Sequence, residues 1–202
     1  MNEFAVIDFE TTGRAPGIDR PTEVAISILF DDEVVDSFCE LMNPGIPIPY
    51  RIQELTGITK AMVKNAPPVG EVMRMAAKFV GKRPLVAHNA VFDGGFWRAE
   101  LSKLRLSHSN PFLCTLKLAR RAYPELGSYS LEVLRDELGL RSSGRAHRAA
   151  ADVGVTVELL KRIKEDISIE HGIRSVSSEL LFQVQSVPKA SFAGAIKRFL
   201  GK

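Results

Sequence analysis

The sequence predicts an α/β domain in which helices pack on the faces of a mixed sheet. Residues 4–8, 22–30 and 33–41 are apolar or β-branched runs joined by turns, the second and third by one of hairpin length. Short apolar runs at 84–87 and 111–114 then alternate with segments whose apolar residues recur at helical spacing. Such an order of elements gives a sheet that begins as a meander and is then extended through helical crossovers.

Each element has its own justification. Phe4-Ala5-Val6-Ile7-Asp8 is a strand that runs into a turn between Glu10 and Gly13. The runs 22–30 and 33–41 flank Asp31-Asp32, a two-residue hairpin connection. A Pro-rich passage covers 43–49, and 52–65, interrupted by Gly57, predicts a loop with at most short helical pieces, closed by Pro67-Pro68. In 69–80 the residues Val72, Met73, Met75, Ala76, Phe79 and Val80 follow a helical period that Gly81 stops. A fourth strand at 84–87, a helix at 92–104, a fifth strand at 111–114 and helices at 115–123, 130–138 and 149–164 complete a domain spanning 1–165. The C-terminal tail, 166–202, breaks at Pro188 and then carries Phe192, Ile196, Phe199 and Leu200 at the spacing of a short amphipathic helix, docked on the chain's own sheet or binding a partner.

A length of 202 residues with 45% hydrophobic and 25% charged composition suits one domain with an appendage. No stretch approaches the roughly 18 apolar residues that span a bilayer, and the start lacks the basic flank of a secretory signal. A cytoplasmic protein without membrane contact is expected. Cys39 and Cys114 have no partner at metal-ligand spacing and are expected as reduced core residues. The formal charge of +3 permits an anionic partner without demanding one.

The acids are more informative. Asp8 and Glu10 stand two residues apart at a strand end, so their side chains project to one face. Asp93 lies in line with Phe96, Trp97, Leu101 and Leu104, and Asp152 with Thr156, Leu159 and Ile163. An acid on a buried stripe is costly unless it is paired, bound to a cation, or favoured by the helix N-terminus. Four carboxylates from three elements, with no Lys or Arg within two residues of any of them, can converge at one end of the sheet. One or two divalent cations would neutralise that cluster, and all-oxygen ligation suits magnesium or manganese rather than zinc. His147 precedes Asp152 by five residues, about 140° around one continuous helix. Gly144 implies that the helix starts after His147, which leaves the imidazole on the preceding loop, free to swing toward Asp152 and take a proton at neutral pH. His88 is a candidate to support the site from behind, while His108 and His171 are expected to be exposed.

Three strings, Asp8-Phe9-Glu10-Thr11-Thr12-Gly13, Val86-Ala87-His88-Asn89-Ala90-Val91-Phe92-Asp93, and His147 followed after four residues by Asp152, resemble the motifs of the DnaQ-like, or DEDDh, 3′-5′ exonucleases. That family includes the proofreading epsilon subunits of bacterial DNA polymerase III. The resemblance runs from about residue 4 to 164 and takes in Leu55-Thr56-Gly57-Ile58-Thr59 and Ala66-Pro67-Pro68. It implies a ribonuclease H-like fold with a five-stranded mixed sheet. It also implies two divalent cations, Mg2+ or Mn2+, held by Asp8, Glu10, Asp93 and Asp152, with Asp8 as the bridging ligand. His147 would be the general base for the water that releases a nucleoside 5′-monophosphate. Two ions about 3.5–4 Å apart can stabilise both the attacking and the leaving oxygen of an in-line displacement. By the same resemblance, Thr11, Thr12, Gly13 and His147 contact the 3′-terminal nucleotide, and Leu55 and Phe92 pack against terminal bases. Thr56 and Cys114 depart from the family, many of whose members carry His and Asp there. The implied substrate is the 3′ end of single-stranded or frayed DNA, in preference to RNA, and the implied protein partner is a DNA polymerase subunit. An RNA-trimming enzyme and a non-catalytic nucleic-acid or polymerase-binding module are the alternatives. The intact set of acids and histidine stands against the second.

Overall fold

The structure is a computed structural model that describes residues 3–141, 144 and 146–201. Strands β1 (Glu3–Thr11), β2 (Pro21–Phe30) and β3 (Glu33–Leu41) form an antiparallel meander. Asp31 and Asp32 make the β2–β3 turn with φ of 45° and 70°, the left-handed pair that a tight hairpin demands. The chain then builds α1 (Tyr50–Thr56), α2 (Lys60–Val63) and α3 (Val69–Val80) before β4 (Leu85–Ala87). After β4, α4 (Ala90–Lys103) crosses to β5 (Phe112–Cys114), and α5 (Thr115–Ala122), α6 (Leu131–Leu138) and α7 (Ala149–His171) follow. The strands β4 and β5 join parallel to β1, giving the order β3-β2-β1-β4-β5.

Alternation along the strands divides the core into two layers. Phe4 and Val6 of β1, with Ala25 and Leu29 of β2, pack toward α5, α6 and α7. Ala5, Ile7 and Phe9, with Val24, Ile26 and Ile28, pack toward α3 and α4. By parity, Asp8, Glu10 and Glu23 share the α7 face. The buried stripe of α3 is Val69, Val72, Met73, Ala76 and Val80, and Met75 falls outside it. The region 52–65 holds short helices because Gly57, at φ 72°, ends α1 while the Thr59 hydroxyl caps α2 by accepting the Met62 N–H at 3.3 Å. Ile48, Ile58 and Val63 form a small core of their own beneath them.

Helix α7 runs past residue 165 to His171, where Gly172 at φ 63° stops it. The tail then folds α8 (Ser178–Val184), a 3₁₀ turn at Lys189–Ser191 and α9 (Phe192–Phe199). Leu180, Leu181, Val184, Phe192 and Ile196 are buried in the same apolar cluster as α7. Gln185 closes the β5 edge as a strand would: it accepts the Cys114 N–H at 3.0 Å and donates to the Phe112 carbonyl at 3.3 Å. Two expectations need correction. The His171 side chain is buried at the end of α7, and Cys39 is exposed on the edge strand β3. Cys114 is buried. Among the described residues no helix is long and apolar enough to cross a membrane.

With α8 in the core, Leu181→Ala is expected to cost about 2–5 kcal/mol. Urea unfolding checks this, and a cost below about 1 kcal/mol would make the tail peripheral.

Candidate active site

Three elements deliver acids to one end of the sheet. Asp8 and Glu10 lie at the C-terminal end of β1, and Asp152 lies in the first turn of α7, which packs across β1 and β2. One carboxylate oxygen from each of Asp8, Glu10 and Asp152 lies within 4.8 Å of the other two. Asp93 is brought in from α4 by a tight handover at Asn89, which has φ 70°. It is buried and accepts the Phe9 N–H at 3.2 Å, so it is bonded to the backbone between Asp8 and Glu10 and stands outside the close trio.

These acids repel one another in a poorly solvated place. Burial, and then the charges of Asp93, Glu10, Asp152 and Glu23, hold the Asp8 carboxyl well above the usual carboxylate range. Burial, with Asp152, Glu23 and Asp93, pushes Glu10 up to about 8, opposed by Arg148. Burial also pushes Asp93 up to about 8, against the hydrogen bond from Phe9. Asp152 is raised by burial, while His147, its backbone N–H and Arg135 pull the other way. Among the described residues none of the four forms an ion pair. An all-oxygen set with this unrelieved charge fits a hard divalent cation.

His147 precedes α7, exposed and at φ 58°. For a residue with a β-carbon that left-handed conformation costs about 1–2 kcal/mol, so the surroundings must hold it. It lines a cleft of about 580 Å³ together with Asp8, Glu10, Asp152, Thr11, Gly13, Leu55 and Phe92. Phe92 packs against Phe96 with ring centroids 5.0 Å apart and the rings tilted by 57°, and Leu55, also lining the cleft, is 48% exposed. A β-carbon at Gly13 would come within 2.4 Å of the Asp19 carboxylate, so any larger residue there would have to displace that side chain. Thr12 is not on the cleft wall: its buried hydroxyl accepts the Arg20 N–H at 3.0 Å and holds the loop from Arg14 to Arg20.

Several residues carry more of the site than the sequence suggested. Arg14 and Arg51 line the cleft and form no ion pair among the described residues. His88 bridges Thr115 Oγ1 at 3.0 Å and the Tyr129 carbonyl at 2.9 Å, and burial lowers its pKa, so it braces the site as a neutral ring. Glu23, 2% exposed, is held by Arg148. The signal for Glu23 was a lone acid inside an apolar strand run.

The mixed sheet and the acids at its end define a class, the ribonuclease H-like α/β nucleases. The RNase_T family model, that of an exonuclease family, matches residues 5–160, and the chain belongs to that family. The DNA polymerase III subunit epsilon of Aquifex aeolicus is 36% identical over 171 residues, 84% of this chain and 84% of that protein. The PolC-type DNA polymerase III of Clostridium perfringens is 38% identical over 187 residues, 91% of this chain but only 13% of the far longer relative. Exonuclease X in complex with 5′ overhanging duplex DNA matches with a TM-score of 0.67 at 28% identity, over 85% of this chain and 95% of that one. E. coli exonuclease I in complex with a dT13 oligonucleotide matches with a TM-score of 0.74 at 22% identity, over 85% and 43%, a likeness of fold. The chain is therefore a DnaQ-like exonuclease domain, an enzyme with a five-stranded mixed sheet flanked by helices.

Proposed function

We propose that this domain hydrolyses the terminal phosphodiester of single-stranded or frayed DNA from the 3′ end and releases nucleoside 5′-monophosphates. The convergence of Asp8, Glu10 and Asp152 within 4.8 Å, on the wall of a cleft that also holds His147, carries this reading. Asp8, Glu10, Asp152 and Asp93 would hold the divalent cations, magnesium or manganese. Those ions would supply Lewis acidity at the phosphate and charge neutralisation in this chemistry. The chain's own groups do the rest. His147 takes the proton of the attacking water; the new bond forms at phosphorus as the bond to the 3′-oxygen breaks, leaving a 3′-hydroxyl on the shortened strand. Leu55 and Phe92 offer apolar faces that support a base without reading its identity. Thr11 and Gly13 border the terminal nucleotide, and Arg14 and Arg51, which line the same cleft, are placed to meet backbone phosphates. A DNA substrate and association with a polymerase accord with relatives that are a DNA polymerase III subunit and a PolC-type polymerase.

The test uses matched 5′-labelled DNA and RNA oligonucleotides with Mg2+, Mn2+ or EDTA. A ladder that shortens from the 3′ end only with metal, faster on DNA, is expected. Faster RNA shortening would assign the domain to RNA trimming, and binding without cleavage under either metal would leave a binding module. His147→Ala is expected to lower kcat by about 10²–10⁴ while Mn2+ binding survives, as loss of a general base should. Unchanged kcat would remove His147 from the chemistry.

A further inference from the structure

We propose that Glu23 and Arg148 are a positioning pair that holds His147 and Asp152 against Asp8 and Glu10. The inference rests on the hydrolase reading above, but its geometry stands separately. Glu23 lies on β2 directly opposite Glu10 in the β1–β2 register. Its carboxylate accepts Arg148 Nη2 at 2.6 Å on Oε1 and Arg148 Nε at 3.0 Å on Oε2. Oε2 also accepts the Ala149 N–H at 3.0 Å. Arg148 is the residue before the first turn of α7, where no side chain of the helix's own provides a cap. Glu23 therefore caps α7 from a strand 126 residues away from Ala149 in sequence, and the guanidinium fork fixes its angle.

Packing alone does not explain the pair. A buried Glu beside the acidic trio adds to its repulsion, and an apolar residue would fill the same space without that cost. What the pair supplies is register between two sets of groups. Asp8 and Glu10 travel with β1, and β1 is hydrogen-bonded along its length to β2. His147 and Asp152 travel with the start of α7, His147 immediately before Arg148 and Asp152 four residues after it. The Asp152 carboxylate is further linked to the His147 backbone N–H. A shift of the helix start on β2 would move the imidazole and the third carboxylate together, away from the other two. Neither Glu23 nor Arg148 lines the cleft, so their part is positioning and not contact with substrate.

The test compares Arg148→Lys, Arg148→Ala and Glu23→Gln in the full chain. It measures kcat and KM on a 5′-labelled single-stranded DNA, Mn2+ affinity by calorimetry without DNA, and melting temperature. Arg148→Lys keeps the charge beside Glu23 but loses the fork. Its melting temperature is expected within about 3 °C of the parent, with kcat at least about 10-fold lower, KM within about 3-fold and Mn2+ affinity at least about 5-fold weaker. Arg148→Ala should lose about 10² in kcat, so that lysine partly rescues alanine. Should Arg148→Ala fail to fold, Arg148→Lys and Glu23→Gln carry the comparison. Turnover and Mn2+ affinity within twofold of the parent, or losses that only follow the folded fraction, would overturn the pair's role. A parent chain that releases no nucleotide with either metal would overturn the hydrolase reading, and the calorimetric comparison would still decide the pair.

Discussion

Asp8→Asn is expected to lower nucleotide release by at least about 10³-fold and, in EDTA at pH 8, to raise the melting temperature. Both effects have one origin. Asp8 sits where burial and the neighbouring charges of Asp93, Glu10, Asp152 and Glu23 all disfavour its ionised form. An amide of the same shape preserves packing and needs neither a buried charge nor a retained proton at that position, and relief of about 1–2 kcal/mol corresponds to about 2–8 °C in a chain of this size. The same amide is a far poorer ligand for a hard cation. Single-turnover release with Mn2+ and a thermal melt in EDTA check the two halves. Retained turnover would remove Asp8 from the metal site, and a lower melting temperature would show that the acids are not in conflict.

The metal-free protein is also expected to lose stability as pH rises. Glu10 is held at about 8 in the folded chain against an ordinary 4.5, and Asp8 and Asp93 are raised as well. Between those limits the folded state keeps protons that the unfolded chain releases. Stability is therefore fully present below the unfolded value and falls as pH climbs through the folded one. In EDTA the melting temperature should drop by more than about 5 °C between pH 5 and 8.5. Saturating Mn2+ at pH 8 should restore it, because the cation binds the ionised carboxylates of the folded state alone. A flat profile in EDTA, or no response to Mn2+ at pH 8, would contradict the crowding of these carboxyls.

The stability that the acids cost is offset elsewhere, and the parts that offset it differ in how far they could be read beforehand. The hairpin at Asp31-Asp32 and the stripe of α3 follow from neighbouring residues, and both are found. The start of α7 after His147 was legible from Gly144, and α7 begins at Ala149. Helix α8 was not legible, because seven residues are too few for a period to declare itself and its stability comes from burying Leu180, Leu181 and Val184 in a core already built. The hydrogen bond from the Arg20 N–H to the Thr12 hydroxyl was not legible for a similar reason, because it depends on the loop that folds back at Arg20.

By itself the sequence determined the order of strands and helices, the two carboxylates on one face of β1, and the acids on the inner stripes of α4 and α7. Alternation and helical period are properties of adjacent residues, and they survive folding unchanged. Only the tertiary structure decided that Asp8, Glu10 and Asp152 form the close trio while Asp93 bonds to the Phe9 backbone, and that Gln185 seals β5. It alone joined Glu23 to Arg148 across 125 residues. A buried charge is tolerated only where its partner arrives in space, and no local spacing rule specifies a contact between residues that the sheet and helix must first bring together.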